Sequence, residues 1–166
     1  MLVGRRAMRD DWIDALVRQG QARAQRAREV AARWAEEDQR ERAACEQHFD
    51  QVWSCLGDAC RHAVDRYNAA VGVMHEVEFQ VAPRGAMLIA KAAYPAGYLF
   101  LTADREKRVF RVELRFRCSE AAEEERLTDE GRFVVAGETL AFCWKGEPFG
   151  PEELARELLS ALFEHI

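Results

Sequence analysis

The chain has 166 residues, 49% of them apolar and 32% charged, with a formal net charge of −5. That length can bury a core without disulfide or metal staples, so one domain, or one domain with an appendage, is expected. Residues 1–70 hold 12 arginines against 12 acids, and residues 71–166 hold 12 basic side chains against 17 acidic ones, which excludes a strongly basic body that would hold nucleic acid by net charge alone.

The opening stretch MLVGRRAMRDDWID carries arginines but no apolar run and no small-residue cleavage site, so it does not read as a secretory signal. No window approaches the ~18 uninterrupted apolar residues of a membrane span, and no membrane association is expected. Five cysteines, an odd number without framework spacing, suit reduced and buried thiols. A cytoplasmic location follows as the expectation.

From Met8 to Val71 there is no proline, and the only glycines are Gly20 and Gly57, so this half is expected to be helical. Met8, Trp12, Ile13, Leu16 and Val17 form a short stripe at helical spacing, with Gly20 as the expected break or hairpin corner. A stronger stripe follows, from Phe49, Val52, Trp53 and Leu56 through Cys60, Val64 and Tyr67 to Val71, and it must lie on a core. It keeps phase across Gly57, which is therefore expected inside the helix at a cost of about 1 kcal/mol relative to alanine. Between the stripes the apolar line thins to Ala24, Ala27, Ala31 and Trp34. It then meets Asp38 and Glu41, where a coiled-coil seam would want apolar side chains. Residues 1–47 are read as a helical arm and 48–166 as the body.

After Val71 the period changes from about 3.6 to 2. VEFQV sets Val77, Phe79 and Val81 on one face and is closed by APRG; AMLIAKAAY and YLFLT follow. In VFRVELRFRC, Phe110, Val112, Leu114, Phe116 and Cys118 alternate with Arg111, Glu113, Arg115 and Arg117, one face dry and one wet. The acidic SEAAEEERLTDEG is read as a loop leading to RFVV, then a turn and TLAFCW. GPEEL opens a last helix, with proline in its first turn and acids that suit its dipole, and Leu154, Leu158, Leu159 and Leu162 dock it. The expected fold is α+β: a long helix or helical hairpin, an antiparallel sheet of about six strands, and a C-terminal helix packed on the sheet.

Chemistry-bearing clusters are few. Cys45, His48, Cys55, Cys60 and His62 invite a zinc reading, but on a continuous helix only Cys45 and His48 sit one turn apart. His48, Cys55 and His62 recur about 10 Å apart along the axis, so no metal site is expected. His75, Glu76 and Glu78 stand at a helix-to-strand junction without any motif around them. No nucleophile elbow, phosphate loop or metalloprotease signature is present, so neither catalytic residues nor a cofactor are assigned. Arg111, Arg115 and Arg117, with Arg105, Lys107 and Arg108, form a polar surface on one hairpin that the acidic segment is expected to neutralise in part. Nucleic-acid binding through these arginines, or through those of the helix, is kept only as an alternative beside a small enzyme without a local motif.

Trp34 decides the reading. A tryptophan left in water on a helix is an unfavourable surface feature, and tryptophan is enriched among interface hot spots. The chain is therefore expected to be an adaptor or small chaperone-like protein. Its arm would bind a protein partner or a second copy, as in a homodimer, through Trp12, Leu16, Arg23, Ala27, Val30 and Trp34. The rival expectation folds the first helix back so that Trp34 packs on Trp12, Ile13 and Leu16.

Overall fold

In the computed structural model, residues 4–82 and 85–166 are described, with side chains from residue 11 onward. Met8 in the first stripe, and Pro83 and Arg84 in the turn after VEFQV, lie outside the described side chains or residues. One helix, α1 (Gly4–Val71), is followed by a 3-10 turn (Val73–His75) and seven strands: β1 (Glu78–Val81), β2 (Met87–Lys91), β3 (Ala96–Asp104), β4 (Val109–Arg117), β5 (Glu125–Ala136), β6 (Thr139–Trp144) and β7 (Glu147–Phe149). A last helix, α2 (Pro151–Phe163), completes the α+β fold. Internal contacts divide the chain into residues 1–40 and 41–166, compared with the 47/48 division expected above.

Within residues 1–40 the helix runs through Gly20 without a break. The hairpin is thereby corrected: Trp12, Ile13 and Leu16 stay about half exposed instead of lying under Trp34. Arginine, glutamine and alanine on both sides of Gly20 are good helix formers, and an isolated glycine costs only about 1 kcal/mol. That is too little to end a helix with strong neighbours.

In residues 41–166 the strands lie side by side in chain order, every neighbouring pair antiparallel. The inward row Phe110, Val112, Leu114 and Phe116 is buried, as its alternation predicts. It meets Trp53, Leu56, Cys60 and Val64 of α1 and Leu154, Leu158, Leu159 and Leu162 of α2 in one core. Phe49, Trp53, Phe110, Phe133 and Phe142 form an aromatic cluster with centroids 5.2–6.5 Å apart, a spacing that favours edge and offset contacts. Gly57 lies inside α1 as expected. A β-carbon there would stand 3.2 Å from Met87 Cε, so the glycine lets helix and sheet approach closely.

Three local expectations change. The acidic ERLTDEG is strand, not loop: it is the first half of β5 and pairs with β4 from Glu125↔Phe116 to Gly131↔Phe110. Its sequence lacks an apolar alternation because little covers it on either face, and the pairing with β4 supplies its order. The seventh strand, β7, is three residues long and follows a two-residue turn in which Lys145 and Gly146 both have positive φ, the geometry that matches strand twist. Cys118 lies beyond the end of β4 and is exposed, so it does not join the inward row; Cys55 is exposed as well, while Cys45 and Cys60 are buried.

The C-terminal helix starts as the sequence predicts. Pro151 occupies its first turn, the Glu153 carboxylate accepts the Gly150 N–H at 3.0 Å, and Glu152 and Glu153 stand at the positive end of the dipole.

Candidate functional site

From residue 11 to residue 37 every side chain of the helix is exposed. The large apolar ones are conspicuous there: Trp34 is 72% exposed, Trp12 and Leu16 55%, and Val30 49%. At roughly 100° per residue, these four, with Ile13, Ala27 and Ala31, fall on one side of the helix. Arg23 stands within the same strip. All six residues expected to form the interaction surface, Trp12, Leu16, Arg23, Ala27, Val30 and Trp34, therefore share one face. Trp12 and Trp34 are about 33 Å apart along the axis at 1.5 Å per residue.

The arginines of the sheet have a different setting. Arg111, Arg115 and Arg117 lie on the face of β4 away from the helices. Arg111 Nε donates to Glu130 at 3.0 Å, Arg115 donates to Glu113 at 2.6 Å and to Glu124 at 3.1 Å, and Arg117 Nε donates to the Ala122 carbonyl at 3.0 Å. Glu113 is the hub: its second oxygen accepts from Arg126 at 3.1 Å, and the Tyr98 hydroxyl donates to the first at 3.3 Å. Burial alone would push the Glu113 carboxyl up, but the hydrogen bonds and charges of Arg115 and Arg126 outweigh it and hold the group below the usual carboxylate range. The acidic segment does supply partners to this row, from Glu124 and from Glu130 within β5. Such pairing makes the row a structural network and leaves it less charge to offer a phosphate. Arg126 was not visible as a member, because only the β4–β5 register brings it beside Glu113.

Sequence reasoning also missed Lys91. It follows Met87 and Ile89 on the inward face of β2 and is 2% exposed, the one buried charged side chain among the described residues. Its Nζ donates to the Pro95 carbonyl at 3.0 Å and to the Ile166 carbonyl at 2.8 Å, and burial pushes its ammonium group down from the ordinary value. The alternation of β2 was the signal that would have found it. A cleft of about 580 Å³ opens beside it, lined by Val73, Met74, Tyr94, Tyr98, Arg115 and Arg117. Lys91 is committed to main-chain oxygens and Arg115 to two glutamates, so neither is poised to react at the cleft.

Cys45 and Cys60 are buried in the body while Cys55 and His62 are exposed, and among the described residues no three histidine, cysteine or acidic side chains come together as metal ligands. Burial pushes the Cys60 thiol up to about 12, which keeps it protonated and inert. His75, Glu76 and Glu78 are all exposed, and Glu76 and Glu78 line the cleft whereas His75 does not. Comparison with known proteins brings no matching family model, no similar curated protein and no similar solved structure.

Proposed function

We propose that the protein is a non-enzymatic interaction module, an adaptor or small chaperone-like protein, that associates with a protein partner or a second copy through residues 12–34. One observation carries this reading: Trp12, Ile13, Leu16, Val17, Val30 and Trp34 are 45–72% exposed on a single helix. Exposed large apolar side chains grouped on one helix face mark association sites, whereas scattered single residues do not. Tryptophan is the side chain most enriched at interface hot spots, and two of them bracket the strip.

The test is Trp34→Glu. The helix backbone and the core of residues 41–166 do not use this side chain, so the melting temperature should stay the same. Association, read as complex mass by light scattering, should weaken by about 2 kcal/mol, the scale of a buried aromatic anchor. A variant that melts and associates like the parent protein would overturn the reading.

A further inference from the structure

We infer that the surface the arm takes is an amphipathic helix of another protein, one whose apolar ridge is flanked by carboxylates. This rests on residues 12–34 being the association surface and adds what that surface selects.

Charge gives the first argument. At roughly 100° per residue, Arg26 and Arg28 stand on the two borders of the apolar strip and Arg23 within it. Asp11, Asp14, Glu29 and Glu36 all fall on the opposite side. Glu37 borders the strip and Asp38 continues its face one turn beyond Trp34, so it is between Gly20 and Val30 that a partner meets guanidinium groups and no carboxylate. Arg23, Arg26 and Arg28 are exposed and have no ion pair or hydrogen bond among the described residues. Arg111 and Arg115, by contrast, are held by glutamates of their own sheet. Three uncompensated guanidinium groups around an apolar strip favour a carboxylate-bearing partner and repel a basic one.

The same charges disfavour a second arm as the occupant. Overlapping the tryptophans of two arms, whether parallel or antiparallel, brings Arg23 of one against Arg23 of the other. Like charges so placed are destabilising.

Side-chain size gives the second argument. Bulky residues stand at the two ends of the strip, and Gly20, Ala24 and Ala27 form a waist of about 10 Å between them at 1.5 Å per residue. A helix with leucine-sized side chains can seat them in that waist, as knobs in holes, while the two tryptophans close over its ends. A flat lipid surface would leave the waist unfilled; amphipathic helices that bind membranes carry bulky residues along the whole apolar face.

Two synthetic helices with one shared leucine face, flanked by glutamates in one and by lysines in the other, test the inference by fluorescence anisotropy at physiological ionic strength. The glutamate-flanked helix should bind at least about tenfold more tightly, and the double variant Arg26→Glu, Arg28→Glu should invert the preference while keeping the far-ultraviolet spectrum of the parent. Equal binding, a preference for lysine, no binding of the glutamate-flanked helix, or tighter binding to phosphatidylserine vesicles would each overturn it. So would a doubled mass in solution that Trp34→Glu abolishes and the charge reversal leaves intact, since the occupant would then be a second copy. If Trp34→Glu weakens peptide binding but the charge reversal does not invert the preference, only the present inference falls. If Trp34→Glu binds like the parent, the association surface itself is wrong.

Discussion

Phe110 occupies the space that Gly131 leaves open on the neighbouring strand. The two residues are register partners of β4 and β5, and a β-carbon at 131 would lie 2.2 Å from Phe110 Cζ and 2.7 Å from the Cys143 carbonyl oxygen. The ring that fills this gap is also at the centre of the aromatic cluster, edge-on to both Phe133 and Phe142. Gly131→Ala should therefore destabilise the body by about 3 kcal/mol, at the upper end of overpacking penalties, read as a lower urea midpoint with unchanged slope. Phe110→Leu in the same chain should recover part of the loss. A Gly131→Ala protein as stable as the parent would show that the ring moves aside freely.

Gly20 stands in the opposite situation, inside a helix and with nothing within 4 Å of the place a β-carbon would take. Gly20→Ala should stabilise the local helix by about 1 kcal/mol and slow amide exchange of the surrounding turns about fivefold. Unchanged or faster exchange would mean that the helix is interrupted there.

Lys91 should leave a signature in the pH dependence of stability. Burial lowers its ammonium group below the ordinary value of 10.5 when the chain is folded. Between that lowered value and 10.5 the unfolded chain holds more protons than the folded one, so stability rises with pH across this window and levels off above it. Below the window both states are protonated and the desolvation penalty is constant. Urea midpoints measured up to pH 10.5 should show this gain in the parent protein and lack it in Lys91→Met. Parallel curves for the two proteins would show that Lys91 keeps its ordinary value.

Much of this architecture can be derived from periodicity. The alternation from Phe110 to Phe116 identified the wet and dry faces of β4, and the leucines from Leu154 to Leu162 identified the buried side of α2, because each strip must be covered or solvated as a unit. The failures also have physical causes. Gly20 breaks a pattern only when its neighbours are poor helix formers, and those around it are good ones. The Glu125–Gly131 half of β5 carries no apolar alternation, since pairing along one edge rather than burial holds it. Lys91 drew no attention because lysine seldom gives up water, yet it lies on the inward side with two main-chain oxygens as partners. For the candidate site, the spacing of Trp12, Leu16 and Trp34 was enough to place them on one helical face. Their exposure and the lack of ion pairs at Arg23, Arg26 and Arg28 needed coordinates.

β6 pairs with β5 only from Arg132 onward, so among the described residues the main chain from Glu125 to Glu130 has β4 on one side and no strand on the other. Such an open margin is where sheets of separate molecules ordinarily fuse and start fibrils. Glu125, Arg126, Asp129 and Glu130 stud this one with charge, and a second molecule stacking its own copy there in register would face like against like. This margin is thus guarded against edge-to-edge aggregation by a row of charges in which Glu130 also holds Arg111 in place, so a single carboxylate serves both the wet face of the sheet and the protection of its open side.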